Sequence, residues 1–170
     1  VLGASGGIDS AVTAALLAHI LGPRQVLLVN MPGRYNSELT RNLAQQLAEN
    51  LGCNYTIVPI GDSVAHTVEQ LYSPIHSYTS NRDFKVELTG LMYENIQARD
   101  RGARILSGFS AAFKGGVCCN ANKAEITVGY GTFYGDLLGL FCPLGDLWKH
   151  QVYDLGRYLN ENVYKKEVIP

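Results

Sequence analysis

The spacing of apolar residues predicts a chain of alternating strands and helices. An apolar stub, Val1-Leu2, precedes a glycine-rich turn, and apolar positions then recur at helical spacing from Val12 to Leu21. Gln25–Met31 is an unbroken apolar run, typical of a strand buried on both faces. Glu38–Leu51 has leucine at every fourth position, which predicts an amphipathic helix, and Tyr55–Ile60 is a third strand. This order implies right-handed crossovers and a parallel sheet.

The second half of the chain continues the alternation with longer helices. Val86–Phe113 is predicted as one long helix or as two helices broken near Gly102. The other predicted elements are a helix at Asp62–Leu71, a loop at Ser73–Arg82, a fourth strand at Val117–Asn120, a helix from about Asn122 and a helix at Trp148–Leu159. Together these elements predict a doubly wound parallel α/β sheet, in which ligands bind beyond the carboxyl ends of the strands.

Composition narrows the class of protein. The 170 residues suit one domain, and a net charge of −1 argues against nucleic-acid or membrane-surface binding through bulk charge. No apolar run approaches the ~20 residues of a membrane span, and the start lacks the basic region of a secretory signal. Because the chain opens inside a strand and closes at Val168–Pro170 without a polar tail, we expect a domain truncated at both ends.

Cysteine and histidine residues give no catalytic or metal-binding pattern. No two cysteines are spaced as C-x-x-C, which argues against a zinc site and against thiolation chemistry. We expect buried, reduced thiols at Cys118 and Cys119 in a cytoplasmic protein, and structural or surface roles for the histidines. The residues concerned are Cys53, Cys118, Cys119, Cys142, His19, His66, His76 and His150.

The turn Gly3–Ser10 (GASGGIDS) carries the strongest functional signal. Its glycines let the backbone approach a ligand, and N–H groups at a helix start bind phosphate. The hydroxyls of Ser5 and Ser10 add donors to phosphate oxygens. Asp9 would repel phosphate unless it holds a magnesium ion that bridges to it. The turn therefore predicts a nucleotide site; an ordinary capped helix start is the alternative.

This turn resembles the pyrophosphate loop of the ATP pyrophosphatases, which split ATP between its α and β phosphates and adenylate an acceptor. That family includes NAD synthetase, GMP synthetase, asparagine synthetase and tRNA-thiolating enzymes. The Gly-Lys-Ser/Thr ending of a Walker loop is missing from the turn. The resemblance implies a Rossmann-like sheet of the adenine nucleotide alpha hydrolase type and one ATP-pyrophosphatase (NAD synthetase) domain over residues 1–170.

The run Asn122–Glu125 (NKAE) follows the predicted fourth strand and is expected at the same edge of the sheet as the glycine turn. The run Gly129–Asp136 (GYGTFYGD) comes after it in the sequence. On position alone, Glu125 either joins Asp9 as a magnesium ligand or is a solvated residue of a first helical turn. NAD synthetases carry similar Asn-Lys-Ser-Glu and Gly-Tyr-x-Thr-x-Tyr-Gly-Asp runs, and this resemblance favours the metal role.

Two further runs resemble NAD synthetases. Glu94–Arg101 (ENIQARDR) is similar to their Glu-Asn-Ile-Gln-Ala-Arg-x-Arg helix, and Asn95 and Arg99 are spaced to share one helix face. The resemblance implies that both contact deamido-NAD, whereas the residues alone favour a plain surface arginine. Pro143–Tyr153 is similar to a family stretch whose lysine, here Lys149, contacts ATP; a surface lysine at a helix start is the alternative.

The chain departs from the family at one point and resembles one branch of it at another. Asn120 stands where relatives have a threonine that touches ATP, and we assign it to the ATP site. Met31–Glu38 (MPGRYNSE) resembles the glutamine-dependent branch more than the ammonia-only enzymes. We therefore expect the full-length protein to use glutamine through an upstream glutaminase domain that delivers ammonia to this one.

The resemblance implies an NAD synthase, a ligase that amidates deamido-NAD through an acyl-adenylate and releases AMP and pyrophosphate. ATP would be the co-substrate, ammonia the nitrogen donor and Mg²⁺ the cofactor, in a homodimer. No catalytic side chain is expected beyond those that position substrates and metal. The alternatives are another amidating ATP pyrophosphatase, such as GMP synthetase, and a non-catalytic nucleotide-binding or dimerisation module.

The expected site residues divide by ligand. Those for ATP are Gly3, Ala4, Ser5, Gly6, Gly7, Ile8, Asp9, Ser10, Asn120 and Lys149. Those for deamido-NAD are Asn95, Arg99 and Asp136, and those for the metal are Asp9 and Glu125.

Overall fold

Three parallel strands form the centre of the molecule, which a computed structural model describes over residues 1–33 and 38–170. The strands are β1 (Leu2–Gly3), β2 (Leu27–Asn30) and β3 (Asn54–Ile57), in the order β1-β2-β3. All four residues of β2, the middle strand, are buried. A strand covered on both faces needs an apolar sequence without alternation, which explains the run Gln25–Met31.

Helices connect these strands and complete the chain. In order they are α1 (Ile8–Leu21), α2 (Glu38–Leu51), α3 (Gly61–Leu71), α4 (Gly90–Arg99), α5 (Ser107–Phe113), α6 (Lys123–Val128) and α7 (Lys149–Tyr158). A 3-10 turn spans Pro23–Gln25, and π-helical segments span Asp100–Leu106 and Leu159–Tyr164. None of the described helices is long and apolar enough to cross a membrane.

The core has two layers, one on each face of the sheet. On one face Leu2 and Leu28 pack with buried residues of α1, α2 and α7. On the other face Leu27 and Val29 pack with buried residues of α3 and of the first π-helical segment. Successive strand residues point to opposite faces, so neighbouring leucines belong to different layers. The predicted doubly wound parallel α/β fold is confirmed.

The structure corrects the prediction of a loop over Ser73–Arg82. Two short strands, β4 (Ile75–Ser77) and β5 (Arg82–Phe84), pair antiparallel there. His76 Nδ1 and Asp83 Oδ1 lie 2.7 Å apart across the pair. Most residues of both strands are exposed, so no buried face imposes the alternation of apolar and polar residues that marks a strand in a sequence.

The predicted fourth strand, Val117–Asn120, is wrong as a regular strand, although the segment does lie at the edge of the sheet. Cys118 forms an isolated parallel bridge with Phe141. Its N–H donates to the carbonyl of Val1 at 2.9 Å, which places the segment beside β1. Regular pairing stops there because the outer neighbour, around Phe141, is a loop.

Of the two alternatives predicted for Val86–Phe113, the structure has the single long helix, without a break near Gly102. α4, the first π-helical segment and α5 follow one another without interruption. The stretch begins at Gly90 rather than Val86 because Thr89 Oγ1 accepts a hydrogen bond from a first-turn N–H and caps the helix. A glycine inside a helix costs only about 1 kcal/mol relative to alanine, and Gly102 lies where the chain packs closely against Gly135.

Candidate active site

A cavity of about 390 Å³ opens at the carboxyl ends of β1 and β2. This is where ligands bind in doubly wound sheets. The glycine turn and the end of β2 form part of its wall. The first π-helical segment and two segments from the second half of the chain, 118–125 and 135–138, contribute the rest. The fold thus brings the glycine turn and the runs 122–125 and 129–136 to one edge of the sheet.

Hydrogen bonds within the glycine turn fix its shape. The Gly7 N–H donates to Ser5 Oγ at 3.2 Å, and Ser10 Oγ donates to the Gly7 carbonyl at 2.9 Å. We predicted that both hydroxyls serve phosphate, but the structure uses the Ser10 proton within the turn. α1 begins at Ile8 without a side-chain cap. N–H groups of its first turn are therefore left for a ligand, and the helix dipole favours an anion.

The tip of the turn requires glycine. Gly6 has φ +82°, and a Cβ at this position would lie 2.3 Å from the carbonyl oxygen of Thr40. Thr40 belongs to the first turn of α2, so the loop and α2 are in direct backbone contact. A larger residue would need both a strained backbone and a displaced helix.

Asn122 joins two carboxylates, Asp9 and Glu125. Its Nδ2 donates to Asp9 Oδ1 at 3.0 Å, and its main-chain N–H donates to Glu125 Oε2 at 3.1 Å. The Glu125 N–H returns a bond to Asn122 Oδ1 at 3.2 Å, which completes a capping box at the start of α6. Asn122 is only 1% exposed. One buried residue therefore contacts both acids, Asp9 through its side-chain Nδ2 and Glu125 through its main-chain N–H.

Lys149, the first residue of α7, holds the second oxygen of Asp9 in an ion pair. Side-chain exposure is 44% for the lysine and 19% for the aspartate, so solvent screens part of their attraction. Lys149 does not line the cavity. The pair nevertheless places a cation next to the glycine turn, 140 residues away in the sequence.

The donor set fits magnesium better than a transition metal. Within residues 1–33 and 38–170, no group of three or more His, Cys, Asp or Glu side chains is arranged to hold a metal ion. Magnesium is commonly held by one or two carboxylates, with waters and substrate phosphates completing the shell. Asp9 and Glu125 both line the cavity and offer those carboxylates.

The residues predicted for deamido-NAD converge on the segment 132–136. Thr132 Oγ1 donates to Asn95 Oδ1 at 2.6 Å, and Arg99 Nε donates to the Phe133 carbonyl at 3.3 Å. The main-chain N–H of Thr132 donates to Asp136 Oδ1 at 2.9 Å. The expected common face of Asn95 and Arg99 is confirmed, since they bond neighbouring residues.

Two glycines set the distance between this segment and the long helix. A Cβ at Gly102 would lie 2.2 Å from the carbonyl oxygen of Gly135, and one at Gly135 would lie 2.9 Å from the carbonyl carbon of Ala98. Any side chain at either position would push the segment away from the helix. Asp136, next in sequence, is thereby held at the cavity wall.

Asn120 lines the cavity, as predicted, but it also supports the fold. Its Nδ2 donates to the carbonyl of Gly3 at 2.8 Å and ties the segment to the end of β1. Its Oδ1 is buried and has no partner within the described residues.

The structure brings together most of the predicted site residues. Those that line the cavity are Gly3, Ala4, Ser5, Asp9, Ser10, Asn120, Glu125 and Asp136. Those that do not line it are Gly6, Gly7, Ile8, Asn95, Arg99 and Lys149.

The sequence motifs assign no role to Asn30, Arg101 or Asn122. Asn30 is 3% exposed at the end of β2, where its Nδ2 donates to the Tyr55 hydroxyl at 3.1 Å. A polar residue within an otherwise apolar strand was the available signal. Arg101 and Asn122 lie inside recognised motifs, but their partners Met31 and Asp9 are distant in sequence.

Buried thiols near the cavity are held protonated. Burial raises the pKa of Cys118 to about 11 and, with help from neighbouring thiols, that of Cys142 to about 12. Cys118 and Cys119 are buried and free, as predicted, and Cys53 and Cys142 are also free. The sulfur atoms of Cys118 and Cys142 are therefore poor nucleophiles at neutral pH.

The sequence model described as NAD synthase matches residues 1–169. The chain belongs to this family. The predicted resemblance is thereby confirmed, and the alternatives of GMP synthetase and of a non-catalytic module are not favoured. The run Met31–Glu38, from which we predicted the branch, lies partly outside the described residues.

Relatives include the glutamine-dependent NAD(+) synthetase of Aquifex aeolicus, 38% identical over 98% of this chain and 29% of its own length. The structure of the glutamine-dependent NAD+ synthetase of Acinetobacter baumannii in complex with ADP matches with a TM-score of 0.87 and 36% identity, over 99% of this chain and 30% of that one. The structure of an NH3-dependent NAD synthetase from Campylobacter jejuni in complex with the nitrate ion matches with a TM-score of 0.79 and 34% identity. The match covers 96% of this chain and 66% of that one. The chain thus spans under a third of the first two relatives.

Proposed function

We propose that this domain carries out the ATP-dependent amidation of deamido-NAD to NAD. The carboxylate of deamido-NAD attacks the α-phosphorus of ATP and expels pyrophosphate, and ammonia then displaces AMP from the acyl-adenylate. The observation that carries the proposal is one cavity lined by the glycine turn, by Asp9 with Glu125, and by Asp136. Membership of the NAD synthase family supplies the reaction class.

ATP binds, on this proposal, at the glycine turn. N–H groups at the start of α1 and of the turn bind its phosphates, where the helix dipole favours negative charge. Asn120 lies at the same wall of the cavity, and Lys149 supplies a positive charge beside Asp9. The tight contact at Gly6 fixes the turn before the nucleotide arrives.

Asp9 and Glu125 are the proposed magnesium ligands, and Asn122 holds both. The bound ion would neutralise negative charge on the phosphates. Because Asn122 is hydrogen-bonded to both carboxylates, their orientation is set by the protein in advance.

Deamido-NAD binds, on this proposal, where Asn95, Arg99 and Asp136 meet the segment 132–136. These residues position its carboxylate towards ATP, so that the protein contributes mainly orientation and electrostatics. Little proton transfer is required of side chains, because a carboxylate is already ionised at neutral pH.

The test is pyrophosphate release from ATP by the complete protein that contains this chain. Pyrophosphate release should require deamido-NAD, and addition of ammonium should lead to the formation of NAD. XMP, the acceptor that a GMP synthetase would use, is tested in place of deamido-NAD. Release that depends on XMP and not on deamido-NAD would contradict the proposal.

A second experiment addresses magnesium. Asp9→Asn and Glu125→Gln should each raise the magnesium concentration needed for half-maximal pyrophosphate release, with the fold retained by circular dichroism. Asp146→Asn is the control, because Asp146 is exposed and does not line the cavity. Wild-type magnesium dependence in either site variant would overturn the shared-metal assignment.

The nitrogen donor of the complete protein is proposed to be glutamine, hydrolysed by a separate glutaminase domain. The support is that the Aquifex relative is named glutamine-dependent and that this chain covers 29% of it. The domain alone should use only ammonium. NAD formation from glutamine by these 170 residues alone would refute this division.

We also propose a homodimer in the cytoplasm. The support is a set of exposed apolar side chains on α4 and on the segment after α6, including Leu91 (67% exposed), Tyr130 (73%) and Phe133 (71%). Exposed apolar patches of this kind mark interaction surfaces. Sedimentation of the complete protein should give the dimer mass, and a monomer mass at high concentration would contradict it.

A further inference from the structure

Arg101 contributes a positive charge to the cavity, and the proposed function assigns this residue no role. The acidic side chains that line the cavity are Asp9, Glu125 and Asp136. Lys149 balances Asp9 from outside the lining. Arg101 is the one basic side chain among the described lining residues. ATP and deamido-NAD both carry several negative charges. Because the other charged side chains that line the cavity are acidic, a positive side chain in contact with the ligand would offset their repulsion.

The first π-helical segment sends consecutive charged residues in different directions. Asp100 is 8% exposed, and its carboxylate accepts bonds from Arg104 at 2.7 and 2.8 Å and from Ser63 at 2.8 Å. Arg101 instead lines the cavity, and its Nε donates to the Met31 carbonyl at 3.1 Å. Single π turns of this kind are frequent at functional sites, because they shift the direction of the side chains that follow.

The Arg101 guanidinium has no ion pair among the described side chains, which do not include those of residues 34–38 and 41. No carboxylate oxygen of these described side chains lies within 4.0 Å of its nitrogens. Burial lowers the pKa of this guanidinium, and Asp100 offsets only part of the effect. A half-buried cation without an ionic partner is unfavourable for folding alone. The bond to Met31 fixes the side chain through Nε and leaves the donors on both terminal nitrogens for a ligand.

We propose that Arg101 binds an oxyanion of the substrates through its terminal nitrogens. The inference rests on the proposed function, because that function supplies the two anionic ligands. Two sources offer the required chemistry: a phosphate of ATP, and a phosphate or the carboxylate of deamido-NAD. The planar guanidinium forms charge-assisted, paired hydrogen bonds to either group.

Equilibrium binding tests this assignment. ATP and deamido-NAD are titrated separately by calorimetry into the complete protein, as wild type, Arg101→Gln and Arg101→Lys. Arg101→Gln should weaken one ligand by about tenfold to about 100-fold, as expected for loss of hydrogen bonds to a charged group. The ligand that is weakened identifies the oxyanion. Arg101→Lys should recover part of the loss, because it keeps the charge without the paired geometry.

Arg104→Gln is the matched control. Arg104 lies on the same π-helical segment and carries the same charge, but it pairs with Asp100 and does not line the cavity. This variant should lower the melting temperature and leave both dissociation constants unchanged.

Wild-type dissociation constants for both ligands in Arg101→Gln would overturn the inference. So would equal weakening in Arg101→Gln and Arg104→Gln together with equal losses of melting temperature, since that pattern denotes a structural role. A wild-type protein that binds neither ligand would overturn the proposed function, and this inference with it.

Discussion

Replacing Asn122 tests whether its buried side chain both orients the Asp9 carboxylate and caps α6. Asn122→Ser keeps an acceptor for the Glu125 N–H, because serine is a good N-cap residue. The serine side chain lacks the Nδ2 group that donates to Asp9 at 3.0 Å. Asn122→Ala removes both the cap and the donor. The two variants therefore separate the capping contribution from the bond to Asp9.

The structure sets the expected magnitudes. A hydrogen bond to a charged group contributes about 1.5–3 kcal/mol, and partial exposure of Asp9 places this bond towards the lower end. We expect Asn122→Ser to lower the free energy of unfolding by about 1.5–2 kcal/mol. Asn122→Ala should lower it by about 1 kcal/mol more, the usual contribution of an N-cap.

Urea unfolding monitored by circular dichroism measures both losses. The dependence of unfolding free energy on urea concentration should stay unchanged, because the variants expose the same surface on unfolding. Pyrophosphate release should also fall in both, since Asp9 loses its fixed orientation. An Asn122→Ser variant within about 0.5 kcal/mol of wild type, the range of ordinary surface substitutions, would refute the reasoning.

Three further outcomes are expected. Gly102→Ala should lower the free energy of unfolding by about 1–3 kcal/mol in urea titrations, because its Cβ would lie 2.2 Å from a carbonyl oxygen; Gly108→Ala, whose Cβ meets nothing within 4 Å, should not. Burial raises the pKa of Cys118 from 9.0 to about 11, so its contribution to stability is full below pH 9 and is lost as pH rises through 11; melting curves should show a smaller alkaline fall for Cys118→Ala than for wild type. Arg99→Ala should raise the KM for deamido-NAD about tenfold, because one charge-assisted hydrogen bond is lost, and should leave the KM for ATP nearly unchanged. A rise in the KM for ATP alone would instead assign Arg99 to the ATP site.

The predictable part of the fold is the part whose burial is regular. α2 has the bounds that its leucine repeat predicts, Glu38–Leu51, because one face of that helix packs on the sheet. β2 is likewise evident from an unbroken apolar run. The hairpin of β4 and β5 has no buried face and therefore leaves no local signal. The sequence left open whether the helix continues through Gly102, which packs closely against a glycine distant in sequence.

The candidate site also has a part that the sequence predicts and a part that it does not. Motifs located Asp9, Glu125 and Asp136, and strand topology predicted correctly that Asp9 and Glu125 share one sheet edge. The contacts among them were not predictable, since Asn122 reaches Asp9 across 113 residues. Arg101 belonged to a recognised motif, but its exposure to the cavity depends on the π-helical segment. Side-chain partnerships of this kind follow from tertiary packing rather than from spacing.

The central claim is that the carboxylate of deamido-NAD attacks the α-phosphorus of ATP in this cavity, and isotope transfer tests it most directly. Deamido-NAD labelled with oxygen-18 in its carboxylate is incubated with ATP, magnesium, ammonium and the complete protein, and the products are analysed by mass spectrometry. The account predicts one labelled oxygen in AMP and none in pyrophosphate. Unlabelled AMP, or label in inorganic phosphate with formation of ADP, would contradict it.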